Sequence, residues 1–321
     1  MAQARLLFNY AQGAGPERGV EMKVLVTGAS GLIGSHLVRL LRSRGDEVLV
    51  ARRGGAPSGA NEIRWDTGGG RLELPAGSAI DAVVHLAGAG IGEKRWNPRI
   101  KGEIMDSRVN GTRQVVEMLA AQADRPVRLL SASAIGIYGD RGDEVLTEGS
   151  PPGNGFLAEV VQAWEAEAVR AAEGGHSVAT LRTGIVLDAG GGALQKQLPL
   201  FRAGLGASLG SGRQWMSWIH RFDEVAAIAF LLDRPGITGP VNLVAPNPVT
   251  NAEFTRTLGK ALSRPALLRA PGFALSTLLG GEMARELLLS SQRVKPSVLE
   301  AEGFEYLHPL LYGALADLLW A

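Results

Sequence analysis

The chain has 321 residues, 45% of them hydrophobic and 20% charged, which is the balance of a globular protein with a substantial core in one large domain or two small ones. Its net charge is +1, with 33 basic against 32 acidic residues and no basic block, so nothing supports a nucleic-acid or membrane-surface partner. It contains no cysteine, which excludes disulfides, thiolate nucleophiles and cysteine-bound zinc and fits a reducing, cytoplasmic setting.

Residues 1–21 carry no signal-peptide apolar core and read as a disordered extension. From Met22 the chain alternates short apolar runs with helix-length segments. MKVLVTGA (22–29) reads as a buried strand ending in glycine. GLIGSHLVRLLRSRG (31–45) reads as a helix, with Ile33, Leu37, Leu40 and Leu41 at helical spacing and Gly45 as its stop. Strands follow at 47–53, 62–66 and 81–90, then a long helix over 97–121, a strand at 127–136, a helix over 156–173 and a strand at 177–187. This rhythm predicts an α/β, Rossmann-like doubly wound parallel sheet, whose strands are apolar throughout because both faces are buried. After 188 the pattern changes. Residues 188–220 are glycine-rich and irregular, 239–246 read as one more strand, and TNAE (250–253) reads as a capping box opening a helix. The expected domains are a Rossmann unit at 22–246, with 188–220 roofing a cleft, and a smaller, mainly helical C-terminal lobe at 247–321. The longest apolar runs, such as VAAIAFLL (225–232), fall far short of the ~20 residues that a membrane span needs.

TGASGLIG (27–34) sets Gly28, Gly31 and Gly34 three apart between a strand and a helix. Gly28 permits the turn, Gly31 lets backbone approach a pyrophosphate, and Gly34 lets helix pack on sheet. With Leu32 and Ile33 they form the opening of a helix whose free amides and dipole favour an anion. A glycine triplet alone is a weak signal; its place between the first strand and first helix strengthens it. At the end of the second strand an acid would bind the ribose of NAD. Ala51 stands there, followed by Arg52 and Arg53, which suits a 2′-phosphate and favours NADP(H) over NAD. The plainer reading of these arginines is a solvated strand end.

TGASGLIG, HLAGAGI (85–91) and SASAIGIYG (131–139) resemble the extended, or atypical, short-chain dehydrogenase/reductase superfamily. KRWNPRIKGEIMDSRVNGT (94–112), GSGRQWMSWIHRFDEVA (210–226), NLVAPNPVTNAEF (242–254) and SSQRVKPSVLEAEGFEY (290–306) resemble its epimerase-like NADP-binding branch across nearly all of 22–321, including a characteristic C-terminal segment. The resemblance implies that Leu86 and Ala87 lie along a cofactor ribose and that Arg108 reaches toward the phosphates, with Glu103 nearby. It also implies that Val186 touches the nicotinamide side. Without it, Glu103 and Arg108 read as a solvated helix face.

The wider superfamily implies a serine that binds the substrate oxygen, a tyrosine that moves the proton, and a lysine four residues later that stabilises the phenolate. Ser133 matches the serine position, although it lies five residues before Tyr138, one more than the common spacing. Phe156 and Val160 stand where the tyrosine and lysine belong, and neither transfers a proton. Tyr138 is the candidate substitute, against the plainer reading of a packed ring. His220 reads as a loop-ordering residue beside an Asp223 helix cap. Asp140, Arg141 and Asp143 form a polar loop near the expected cleft, while Gln214, Trp215 and Trp218 either line it or join the lobes. The expectation is an NADP(H)-dependent, epimerase-like oxidoreductase for a small carbonyl or sugar-like substrate. Its rival is a non-catalytic NADP(H)-binding protein that senses redox state.

Overall fold

In the computed structural model, residues 21–54, 59, 61–67, 70–75, 78–122 and 125–320 are described. The extension expected at 1–21 therefore lies, apart from Glu21, outside the described residues. Seven strands form one parallel sheet: β1 (Lys23–Thr27), β2 (Glu47–Arg53), β3 (Glu62–Trp65), β4 (Ala82–His85), β5 (Arg128–Ala134), β6 (Ser177–Thr183) and β7 (Gly239–Leu243). Their order is β7-β6-β5-β4-β1-β2-β3. The order reverses between β1 and β4, which opens a crevice at the carboxyl ends of those two strands, the usual ligand position in a doubly wound sheet.

Side chains alternate across each strand, so the sheet feeds two cores. Val24 and Val26 point into one core, with Leu37 and Leu41 of α1 (Leu32–Ser43) and Ile228 of α5 (Arg221–Leu232). Leu25, between them, joins the other with Val115 and Leu119 of α2 (Pro98–Ala120). The helix α2 starts where Asn97 accepts the Ile100 amide at 2.9 Å and Pro98 fixes the first turn. α3 (Phe156–Val169) packs beside α2, its Phe156 and Val160 meeting Ile100 and Ile104.

A third core holds the mainly helical C-terminal part together. It gathers Leu194 and Leu198 of α4 (Gly192–Arg202), Trp218, Phe254 and Leu258 of α6 (Asn251–Ala261), and Leu311 and Leu315 of α7 (Leu311–Trp320). Four two-stranded pairings tie this region to itself and to the sheet domain. Residues 207–209 pair with 268–270, 215–216 with 249–250, 218–220 with 185–187, and 293–294 with 145–146.

Three local expectations are revised. The strand read at 177–187 breaks at Gly184, where a Cβ would lie 2.7 Å from both the Ser217 carbonyl oxygen and a Val244 methyl; Ile185–Leu187 then leaves the main sheet to pair with Trp218–His220. The strand read to 136 stops at Ala134 and tightens into a 3₁₀ turn over Ile135–Tyr138. The cap of α5 is His220, whose Nδ1 accepts the Phe222 amide at 3.1 Å, and Asp223 instead accepts the Leu307 and His308 amides at 2.9 Å each. Of the capping box at 250–253, the Thr250 half is present, its hydroxyl accepting the Glu253 amide at 3.3 Å. Among the described residues no helix is long and apolar enough to cross a membrane.

Candidate cofactor and active site

The glycine loop between β1 and α1 is tight enough to require glycine. Gly28 has φ +69°, and a Cβ on it would come within 2.8–2.9 Å of the Leu86 and Ala87 backbone. A Cβ on Gly34 would lie 2.3 Å from the Gly28 carbonyl oxygen. Gly31 is the N-cap of α1 and supplies no side-chain cap, so the first amides of a twelve-residue helix lack the usual side-chain acceptor. A side chain would fill the cradle that these glycines keep open, so the residues present fit a bound pyrophosphate. Leu32, on the first turn of α1, lies against the glycines at 191 and 192, and the Val186 carbonyl oxygen is 3.6 Å from a Cβ position on Gly192. The structure thus brings Gly28, Gly31, Leu32, Gly34, Leu86, Ala87 and Val186 to one crevice. Ile33 faces inward and packs on the α1–α5 core.

A buried polar relay fixes the floor of this crevice. Thr27 Oγ1 lies 2.7 Å from His85 Nδ1, and His85 Nε2 lies 3.1 Å from Thr112 Oγ1. The Ala87 amide donates to Thr27 Oγ1 at 3.3 Å, which sets the path of the loop after β4. Complete burial pushes the His85 imidazole down to about 4, so it is neutral at physiological pH. Both residues stood in quoted motifs, but strand sequence alone does not reveal that neighbouring strands pair them.

Ala51, two residues before the end of β2, pairs with Thr27 and is buried. Arg52 is exposed, and its Nη1 donates to both carboxylate oxygens of Glu62 on β3 at 3.1 Å. Arg108 turns under the loop after β4, donating from Nη1 to the Ala89 carbonyl at 3.0 Å and the Ile104 carbonyl at 3.2 Å, with its guanidinium 5.1 Å from the centre of the Trp164 ring. Burial lowers its pKa to about 10, which leaves it charged. Glu103 is not brought to Arg108; it is exposed and pairs with Arg99 one turn earlier.

At the end of β5 the two catalytic candidates enter a buried network. Ser133 Oγ donates to Glu165 Oε1 at 2.5 Å. Arg182 of β6 grips the same carboxylate with Nε and Nη2, both at 2.8 Å. Its Nη1 reaches the Tyr138 hydroxyl at 3.0 Å and the Glu148 carbonyl at 3.2 Å. Tyr138 in turn donates to Asn242 Oδ1 at 2.7 Å. Tyr138 is 0% exposed. Burial raises its pKa, against the opposing pull of Arg182 and Asn242. For Arg182 burial acts to lower the pKa, but the Glu165 carboxylate outweighs it and the net shift is upward. One sequence signal for this network exists: Arg182 is a charge inside the apolar run VATLRTG.

Phe156 and Val160 are buried between α3 and α2. The Phe156 ring packs edge-on to Trp96 at 5.0 Å, and Lys101 Nζ sits 4.4 Å over its centre while pairing with Glu282 at 2.7 Å. The N-terminus of α3 is closed by a residue from far along the chain. Glu286 accepts the Phe156 amide at 3.0 Å and the Leu157 amide at 2.8 Å, and Gly155, at φ +112°, leaves room for its carboxylate. Glu286 belongs to a π-helical turn over Arg285–Leu289, a geometry common at functional sites. Beside it opens a cavity of ≈ 230 Å³ lined by Gly136, Gly139, Asp140, Asn154, Glu286 and Gln292, among others. Of the polar loop, Asp140 lines this cavity, Asp143 accepts the Trp215 indole N–H at 2.8 Å and Arg141 pairs with Glu144. Trp218 is fully buried and Gln214 bonds the Leu209 and Leu288 carbonyls, so both join lobes.

One cluster among the described residues has metal-ligand residue types: His220, His308 and Asp317. Its geometry argues against a metal. His220 Nδ1 accepts a backbone amide, so the neutral ring carries its proton on Nε2, where a ligand would need a lone pair. The His220 and His308 rings stack 3.8 Å apart, and His220 Nε2 lies 3.3 Å from Asp317 Oδ2. Burial, with His308 and Arg221 adding to it, pushes His220 down to about 2. The cluster is a polar joint between the start of α5 and the C-terminal helix α7.

Comparison with known proteins agrees with this geometry. Residues 24–243 match the family model described as the NAD dependent epimerase/dehydratase family, and residues 270–318 match a domain of unknown function, DUF1731. The chain is 44% identical over 295 residues to the epimerase family protein MT2273 of Mycobacterium tuberculosis, covering 91% of this chain and 96% of that one. Human epimerase family protein SDR39U1 (isoform 2), solved with NADPH, superposes with a TM-score of 0.84 at 34% identity, covering 92% of this chain and 99% of that one. A nucleoside-diphosphate sugar epimerase from Corynebacterium glutamicum superposes with a TM-score of 0.77 at 33% identity, covering 99% of this chain and 62% of that one. The chain belongs to the NAD dependent epimerase/dehydratase family, within the SDR39U1-like branch of the atypical short-chain dehydrogenases/reductases.

Proposed function

We propose that this protein binds NADP(H) in the crevice between β1 and β4 and acts as an epimerase-like oxidoreductase on a small, polar carbonyl or sugar-like ligand. The observation that carries the reading is the glycine cradle: Gly28 and Gly34, where a Cβ would clash with backbone, and the close-set Gly31, opening onto the start of α1 that no side chain caps. Gly28, Gly31, Leu32 and Gly34 would hold the pyrophosphate, Leu86, Ala87 and Val186 would flank the riboses and nicotinamide, and Arg108 would add positive charge beneath the loop. Arg52, with no acid at Ala51, would take the 2′-phosphate. The NADPH bound by the human relative supports this choice of cofactor. When bound, the dinucleotide would supply hydride chemistry, and the protein would position it.

We place the ligand in the cavity beside Glu286, where Asp140, Asn154, Glu286 and Gln292 set a few hydrogen-bonding groups in a mostly apolar lining. In this reading Ser133 and Tyr138 act from behind it as positioning residues. Their hydroxyls are committed to Glu165 and Asn242, and they hold the carboxyl end of β5 in place. The packing of Phe156 and Val160 favours the second reading, a binding protein without turnover. Fluorescence titration with NADPH and NADH, followed by NADPH oxidation across a panel of small carbonyl compounds, tests both. Saturable binding with NADPH preferred is expected; absence of binding by either dinucleotide would overturn the proposal. Binding without oxidation of any panel member would favour the second reading.

A further inference from the structure

We propose that Glu62 is a specificity-determining residue: its carboxylate competes with the 2′-phosphate for Arg52 and so sets how strongly the site prefers NADP(H) over NAD(H). The inference rests on the NADP(H) reading above and extends it to a residue that no motif marks.

The sequence leaves the end of β2 without its acid, since Ala51 occupies that position. The fold returns one from the next strand. β3 begins at Glu62, which pairs with Val50, so its side chain stands beside the last residues of β2. Arg52 Nη1 lies 3.1 Å from both Glu62 oxygens. The Glu62 side chain is 25% exposed and that of Arg52 is 55% exposed. The carboxylate is the less exposed partner, set at the start of a strand, and the guanidinium is the more exposed one. A 2′-phosphate arriving at Arg52 meets an anion already seated on the same nitrogen. It must share or displace that partner, and it also feels like-charge repulsion from it. NAD(H), with a hydroxyl at this position, meets neither cost.

Exposed ion pairs of this type are worth ~0.2–1 kcal/mol, and about 1.4 kcal/mol corresponds to tenfold in affinity, so the effect should reach roughly fivefold. The test is equilibrium titration of the full chain with NADPH and with NADH, followed by nucleotide fluorescence, for wild type, Glu62→Gln, Arg52→Ala and the double variant. Glu62→Gln should tighten NADPH roughly twofold to fivefold at low salt and leave NADH within twofold, and the gain should shrink in the Arg52→Ala background. Glu62→Ala, checked by thermal melting, should move NADPH in the same direction. Unchanged or weaker NADPH binding in both Glu62 variants would overturn the inference. So would equal tightening of both nucleotides, or a gain of full size without Arg52. Failure of the underlying reading has a different signature: Arg52→Ala would then weaken NADPH and NADH equally, or not at all.

Discussion

Replacing Glu165 tests whether the end of β5 is scaffold or catalyst. In Glu165→Ala the Arg182 guanidinium loses two 2.8 Å hydrogen bonds and Ser133 loses its acceptor. The guanidinium would remain largely buried, since the Arg182 side chain is 8% exposed and that of Glu165 is 13% exposed. Breaking a buried pair from one side costs about 3–5 kcal/mol, because an uncompensated charge stays inside. Tyr138 and the Glu148 carbonyl still bind Arg182, which points to the lower end of that range. At roughly 2 °C per kcal/mol for a chain of this size, the melting temperature should fall by roughly 6–8 °C. The double replacement Glu165→Leu with Arg182→Met removes both charges and should recover at least half of that loss. Urea denaturation and thermal melting would measure stability, with NADPH titration alongside to show that affinity changes less than twofold. A single variant costing under ~1 kcal/mol, or a double variant worse than either single, would refute the reasoning. Glu165→Ala that loses NADPH binding while remaining stable would move the network into the binding site.

Three further outcomes follow from the same geometry. Gly34→Ala should abolish NADPH binding and cost about 1–3 kcal/mol in a thermal melt, because its Cβ would meet the Gly28 carbonyl oxygen at 2.3 Å and the Ala29 Cα at 2.8 Å. Gly102→Ala is the contrasting control: nothing lies within 4 Å of its Cβ position in α2, so denaturation should show a gain of about 0.5–1 kcal/mol with NADPH affinity unchanged. Glu224 is wholly buried, and burial pushes its carboxyl up to about 8, while the Thr183 hydroxyl donates to it at 2.8 Å. The folded state thus holds a proton that the unfolded chain releases near 4.5, so this group's contribution is complete below about 4.5 and is lost as pH rises through 8. Glu224→Gln should flatten the decline in stability between those pH values; an unchanged profile would refute the assignment.

Periodicity and punctuation carried most of the fold. Strands β1, β2, β4 and β5 are apolar runs bounded by glycine or charge, and α2 begins at an Asn-Pro pair that names its own cap. The glycine loop was legible because backbone crowding leaves a residue-type signature. What stayed hidden depends on pairing between distant segments. Gly184 looked like part of a strand because the atoms that crowd it, at Ser217 and Val244, come from elsewhere. Ser133 and Tyr138 were placed by motif at the end of β5, yet their hydroxyls answer to Glu165 and Asn242, residues 32 and 104 positions away. Glu286 is illegible in sequence, since a carboxylate in a helical stretch has no local mark of the amides it caps 130 residues away.

The capping of α3 by Glu286 bears on how the chain is made. Phe156 leaves the ribosome 130 residues before its amide's acceptor does. At ≈ 5–20 residues per second, that is a wait of roughly 7–26 s with the start of the helix unsatisfied. Val145–Leu146 waits still longer for its strand partner at Arg293–Val294. The nascent sheet domain therefore spends that interval with an open helix end and an unpaired edge, the features that invite wrong partners. The C-terminal segment is in this sense the closing step of synthesis, and a ribosome stalled before residue 286 would expose both at once.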